Sequence, residues 1–278
     1  MTTITAYKTP QEFLDDTEII LEQKELENNL ILALCNGFED KARVYDSCVF
    51  INSIADNQIQ ASSIKTMSKA FVSGTTQNPQ HIKALADYYL DNGIALTGVV
   101  GESFYSTEFS NFYGKKQIGK RTMIVHKLTC VNNLPLTTGY LEVANEMDID
   151  LVAEWGKLFE EDIKTFPRNN SEEIMRSTKR MISAGKIFKW VDNGKTVSMA
   201  AMIRKTKRFG IVSLVYTPDK LRGNGYATSC VQKLSEHLLQ SGFKSCGLFT
   251  DKANPTSNSI YKKIGYVPIT EFSDIDYA

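Results

Sequence analysis

Only three histidines occur in the 278 residues, and the five cysteines (Cys35, Cys48, Cys130, Cys230 and Cys246) are odd in number, scattered and never spaced as C-x-x-C. These absences argue against a zinc site and a disulfide framework, so no metal is expected and the thiols read as free in a reducing cytoplasm. An excess of charge is missing too. The 32 basic residues are matched by 32 acidic ones, which gives no general attraction to nucleic acid or to an anionic membrane surface. No run of about 20 apolar residues is present, and Met1-Thr2-Thr3-Ile4 lacks a basic segment leading into an apolar core. A soluble, cytoplasmic protein without nucleic-acid or membrane partners is the expectation. With 42% hydrophobic residues, the chain is long enough for one large or two medium domains with real cores.

What is present concentrates between Phe209 and Tyr266. Ile211, Val212, Leu214 and Val215 form an apolar run with no breaker before Pro218, which predicts a mostly buried strand. The turn Leu221-Arg222-Gly223-Asn224-Gly225-Tyr226-Ala227 follows. Ala227, Cys230, Val231, Leu234 and Leu238 then fall on one face of a predicted helix that Ser241-Gly242 closes. Strand, glycine turn and helix in this order offer an anion the unpaired amides of a first helical turn and the positive end of the helix dipole. Gly223 and Gly225 leave room for a phosphate, and Arg222 adds a guanidinium. Two phosphate loops do not fit, because no Gly-Lys-Ser/Thr is there and G-x-G-x-x-G fails at Thr228. Taken alone, the turn is equally compatible with an ordinary strand-to-helix connection.

Lys244 to Thr250 predicts a second buried strand, after which Asp251-Lys252-Ala253-Asn254-Pro255 opens a helix with Pro255 in its first turn. Tyr261 lies seven residues beyond Asn254, about two turns, so both side chains can face one groove. The stretch resembles the GNAT superfamily of acetyl-CoA-dependent N-acetyltransferases. The family pattern R/Q-x-x-G-x-G/A is matched by Arg222, Gly225 and Ala227, and N-x-x-A/S-x-x-x-Y by Asn254, Ser257 and Tyr261, running on to Lys-Ile-Gly-Tyr at Tyr266. The resemblance covers roughly Gly139 to Ala278.

The resemblance implies acetyl-CoA as co-substrate and a small-molecule or peptide amine as acceptor, attacking directly with no covalent enzyme intermediate. It further implies that Val215, Tyr216 and Thr217 offer backbone to the pantetheine. Arg222, Gly223, Asn224, Gly225, Tyr226 and Ala227 would hold the pyrophosphate. Asn254 and Ser257 would bond the pantetheine side, and Tyr261 would protonate the departing thiolate. A base is not identified: Glu154, Glu160, Glu161 and Asp162 lie on the helix that borders the acceptor groove in this fold, but the usual exposure of carboxylates favours a solvated acidic face over a base among them. The competing function is a non-catalytic acyl-CoA sensor or interaction module.

In chain order, Pro10 to Asn36 predicts two helices, Ala42 to Ile51 and Ile59 to Lys65 strands, Ala70 to Val72 an edge piece and Ser73-Gly74 a turn. A helix from about Asn78, a strand from Ile94 to Val100, a helix from Glu102 to Tyr113 and a strand from Arg121 to Leu128 follow. Beyond Asn132-Asn133-Leu134-Pro135 come a strand at Tyr140 to Ala144, a helix at Asp148 to Lys164 and another at Ser171 to Ala184 with Ser171 as its cap. Strands at Lys186 to Asp192 and Thr196 to Arg204 are joined by the hairpin turn Asp192-Asn193-Gly194-Lys195.

Setting residue i against i+149 aligns Leu90-Asp91-Asn92-Gly93 with Leu239-Gln240-Ser241-Gly242, and Gly98 with Gly247. The first half thus reads as a diverged copy of the second, although a generic strand-helix alternation gives the same match. Opposite Arg222 to Ala227 stand Ser73 to Asn78, and Phe112 stands opposite Tyr261 without a hydroxyl. The expected class is α/β (α+β), a GNAT-type mixed central sheet flanked by helices in two tandem domains. Residues 1–134 form a copy without cofactor motif and 135–278 the acetyltransferase domain; the oligomeric state stays open.

Overall fold

The computed structural model describes residues 2–39, 47–163 and 169–278. Two compact units group the chain as Met1–Val125 with Asp251–Ala253 and Ile269–Ala278, and as His126–Thr250 with Asn254–Pro268. The first half runs β1 (Thr3–Tyr7), α1 (Pro10–Gln23), α2 (Asn29–Glu39), β2 (Val49–Ala55), β3 (Gln58–Thr66), β4 (Lys69–Gly74), α3 (Pro79–Asp91), β5 (Gly98–Glu102), α4 (Ser103–Tyr113) and β6 (Gln117–Leu128). The second runs β7 (Tyr140–Val143), α5 (Ile149–Asp162), α6 (Ser171–Ser183), β8 (Ile187–Asp192), β9 (Lys195–Lys205), β10 (Phe209–Tyr216), α7 (Tyr226–Gln240), β11 (Ser245–Asp251), α8 (Pro255–Ile264) and β12 (Val267–Tyr277). One order of elements, β-α-α-β-β-β-α-β-α-β, therefore occurs twice.

The repeat reaches the hydrogen bonds. Gly93 N–H donates to Leu90 O at 3.0 Å and Ile94 N–H to Tyr89 O at 2.8 Å, while Gly242 donates to Leu239 O at 3.2 Å and Phe243 to Leu238 O at 3.3 Å. These are the same helix stop, 149 residues apart. At α4 and α8 the register differs from the sequence alignment. Both helices end on a left-handed glycine whose N–H returns to the residue four earlier, Gly114 to Ser110 and Gly265 to Tyr261, so Ser110 and not Phe112 is the counterpart of Tyr261. The cause is local: α4 follows β5 directly, whereas Lys252, Ala253 and Asn254 separate β11 from α8.

In the first unit the sheet begins β1-β2-β3-β4-β5-β12. β4 pairs antiparallel with β3 (Ala61↔Gly74 to Thr66↔Lys69) and parallel with β5 (Lys69↔Gly98 to Val72↔Gly101), so Ala70 to Val72 is interior rather than an edge, and Ser73-Gly74 ends the strand instead of turning. β5 begins at Gly98 rather than Ile94, whose N–H is taken by the helix stop. Positions 42–46 of the strand expected from Ala42 lie outside the described residues, and β2 begins at Val49. In the second unit the order is β11-β10-β9-β8-β7. Strands in both units are buried on both faces: Phe50 and Ile64 join a cluster with Phe13 and Leu21, while Ile51 and Ala61 join Ile82, Leu85 and Tyr89. Val212 packs with Leu234 and Leu248, and Met199 and Ala201 with Trp155 and Ile182.

Local chemistry accounts for the element ends. Asn193 (φ 48°) and Gly194 (φ 72°) both take positive φ, which makes the expected hairpin turn between β8 and β9; Asp56 and Asn57 do the same between β2 and β3 without a glycine. α6 is capped one residue earlier than Ser171, because Asn170 and Glu173 exchange side-chain and backbone bonds of 2.9 Å in a capping box.

Candidate functional site

β10 and β11 are parallel and pair from Phe209↔Ser245 to Val212↔Leu248, yet β10 continues to Tyr216 and β11 to Asp251. Past Val212 the two strands part. On its other edge β10 carries a bulge, since Ser213↔Ala201 is followed by Tyr216↔Met199, three steps against two. Leu214 takes φ 51° there, a conformation that costs a branched residue on the order of 1–3 kcal/mol. The bulge turns the main chain of residues 214–217 relative to the rest of the strand, at the opening between β10 and β11. No sequence signal marks it, because leucine is an ordinary strand residue.

Tyr216 and Thr217 are fixed at the end of β10. Thr217 Oγ1 donates to Ser198 Oγ at 2.9 Å, Ser198 Oγ donates to Tyr216 O at 3.1 Å, and the Tyr216 ring lies 5.7 Å from Trp155. With both side chains occupied, what this segment can give a ligand is backbone, as it is at Val215.

The glycine turn follows. Gly223 (φ 84°) and Gly225 (φ 82°) are left-handed; a Cβ at Gly223 would meet open space, while one at Gly225 would lie 3.0 Å from Thr137 Cγ2. Gly225 is the N-cap of α7 and supplies no side-chain bond. The N–H groups from Gly223 to Thr228, including those of Asn224, Tyr226 and Ala227, have no acceptor among the described residues. α3 and α8 differ, with Asn78 accepting from Gln80 N–H and Asn254 from Ser257 N–H, each at 3.0 Å. The bare amides of α7 are the arrangement that suits an anion.

Arg222 is already engaged. Its Nε donates to Thr217 O at 2.9 Å, one terminal nitrogen meets Asp162 at 2.5 Å and the other Asp219 at 3.0 Å. Tyr226 turns its hydroxyl away to Asp192 at 2.8 Å, which raises its pKa. Of the acidic group on α5, Asp162 holds Arg222 and Glu160 accepts from Asn169.

Tyr261 lies on α8 with its ring between Tyr266 (5.9 Å, edge-on) and His126 (6.4 Å). The residue is 8% exposed, and its hydroxyl has no hydrogen-bond partner among the described residues. Burial, then the neighbouring Cys230, pushes the phenol well above its ordinary pKa of about 10, so it is protonated at neutral pH.

His126 is absent from the sequence expectations. Thr250 Oγ1 donates to Asn258 Oδ1, so toward His126 Nε2, 3.0 Å away, it accepts, and the imidazole proton sits on Nε2. Nδ1 is buried without a partner, and burial lowers the pKa of the ring. Its position in an apolar strand and the rarity of histidine here are the only hints in the sequence.

Residues 191–273 match the family model described as FR47-like protein. No curated protein matches the chain. Among solved structures, a GNAT-family acetyltransferase from Colwellia psychrerythraea is 9% identical with a TM-score of 0.62, over 99% of this chain and 100% of that one. A GCN5-related N-acetyltransferase from Sphaerobacter thermophilus is 14% identical with a TM-score of 0.65, over 99% and 95%. A tandem GNAT protein from the clavulanic acid biosynthesis pathway is 9% identical with a TM-score of 0.54, over 99% and 98%. With the element order repeated, these likenesses over the full length show a chain built on the GNAT fold in tandem.

Proposed function

We propose that the second copy, residues 135–278, transfers an acetyl group from acetyl-CoA to a small-molecule or peptide amine, and that the first copy, residues 1–134, carries no cofactor site. The observation that carries this reading is the row of bare amides from Gly223 to Thr228 at the uncapped start of α7, next to strands that part beyond Val212. Acetyl-CoA brings to such a site a diphosphate, two amides and a reactive thioester. The amides of residues 223–228 grip the diphosphate, and Arg222 turns to it from Asp162. Backbone groups of Val215, Tyr216 and Thr217 continue as ladder partners for the pantetheine. Asn254 spends its carbonyl oxygen on capping α8, which leaves its side-chain N–H groups as donors, and Ser257 keeps its hydroxyl.

The amine nitrogen attacks the thioester carbonyl, the C–S bond breaks, and the amine proton leaves. Tyr261 donates a hydrogen bond to the departing sulfur. Full transfer of its proton is uphill, because a thiol has a pKa of about 8.5 and this phenol lies above about 10, a gap of at least roughly 2 kcal/mol. The proton lost by the amine closes the balance and leaves the phenol intact.

Calorimetric titration with acetyl-CoA, followed by CoA release over a panel of amines, tests the reading. Binding plus amine-dependent CoA release is expected. Tight binding with no release over a broad panel would replace the transferase by an acyl-CoA sensor.

A further inference from the structure

The first unit encloses a cavity of about 60 Å³ between α1, β3 and the end of β4, room for roughly two waters at about 30 Å³ each. Its lining is rich in oxygen acceptors whose hydrogens are already spent. Ser73 Oγ donates to Asn28 Oδ1 at 2.6 Å, and Thr75 Oγ1 donates to Gln60 O at 3.1 Å. Ser62 also lines it. That residue is 3% exposed, and its hydroxyl has no partner among the described residues.

Around the Lys24 side chain, which forms part of the lining, the chemistry selects for a cation. Lys24 Nζ stands 4.0 Å from Glu102 Oε2 and 6.0 Å from the centre of the Tyr105 ring. Glu102 is the carboxylate that faces this ammonium, and its side chain is largely buried. Burial pushes the Glu102 carboxyl up and Lys24 pulls it back, a part that an incoming cation in the place of Lys24 would take over. Spent hydroxyls accept from N–H donors, an aromatic face attracts a cation, and the largely buried Glu102 carboxylate fixes the sign of the ligand. Lys24 is the cation that the chain itself supplies.

We propose that this corner binds the ammonium group of a small primary amine, which takes the place of Lys24. Acyl-CoA is a poor candidate for the same place. Tyr105 fills the space beside Gly74, where a Cβ would lie 2.6 Å from Tyr105 Cε1, and the first turn of α3 is capped by Asn78. The site is independent of acetyl transfer.

Calorimetric titration of the full chain with ethylamine at pH 7, without acetyl-CoA and against potassium chloride of equal ionic strength, tests the proposal; at that pH ethylamine is an ammonium ion. Saturable binding is expected. It should tighten at least threefold in Lys24→Met and weaken at least tenfold in Glu102→Gln and in Ser62→Ala. Tetramethylammonium, which has no N–H donor, should fail to compete. No saturable heat in either the wild type or Lys24→Met would overturn the proposal. So would binding that Ser62→Ala and Glu102→Gln leave intact while their circular dichroism matches the wild type, which would put the amine elsewhere in the chain.

Discussion

Replacing Tyr261 by phenylalanine removes one oxygen that makes no bond to the described protein and leaves the ring between His126 and Tyr266. A largely buried hydroxyl without a partner costs stability on the order of 1–3 kcal/mol in mutational terms, so the variant should melt at the same temperature or slightly higher. Its acetyl-CoA affinity should stay within a few-fold, because the diphosphate and pantetheine contacts lie elsewhere. Turnover should fall by about 10²-fold, which is about 2.7 kcal/mol on the barrier and the scale for removing one hydrogen-bond donor to charge that develops in the transition state. Steady-state CoA release, read with a thiol reagent after blanking the exposed Cys130, gives the number. Because burial holds the phenol above its ordinary value, the Tyr261-dependent part of the rate should not decline between about pH 7 and 9. Turnover within threefold of wild type would remove Tyr261 from the chemistry.

Arg222→Ala should weaken acetyl-CoA binding by roughly 10- to 100-fold, the worth of a charge-assisted bond, whereas Asp162→Asn should tighten it up to about fivefold by releasing a half-exposed competitor; calorimetry on both variants checks the pair. Gly223→Asp suits a left-handed position with open space around it, so the protein should fold normally and lose at least tenfold in acetyl-CoA affinity; unchanged affinity would mean that this turn is not the anion site. His126 has a depressed pKa in the folded protein, so the unfolded chain binds its proton more readily. Stability should fall as pH drops below about 6.5, by up to about 1.4 kcal/mol per unit, and His126→Gln should flatten that slope in urea melts at pH 5 to 7.5.

How much of this was legible in the sequence varied with the cause. Helix stops and hairpin turns are written in one or two residues: Gly93, Gly242 and the Asn193-Gly194 turn sit where left-handed backbone is needed, and the repeat at 149 residues follows from the first two. Caps depend on a contact, because Asn170 and Ser171 are both good caps and only the Glu173 side chain decides between them. β1 and β12 were not anticipated. Their residues, Thr3–Tyr7 and Val267–Tyr277, carry too much polar or exposed character to read as strands until they pair with β2 and β5. Within the candidate site, Arg222, Gly223, Gly225 and Tyr261 stood out by type and spacing. The bulge at Leu214, the grip of Asp162 on Arg222 and the placement of His126 arise from contacts between residues 60 and 124 positions apart or from unequal strand lengths, which no local pattern encodes.

Titrating acetyl-CoA into ¹⁵N-labelled protein and following backbone amide shifts tests the central claim most directly. The account predicts saturable movement of the N–H signals of residues 223–228 and of Val215 to Thr217, with the amides of Gln80 to Lys83 at the capped start of α3 unmoved. Binding that leaves residues 223–228 still, or no binding at millimolar acetyl-CoA, would contradict it.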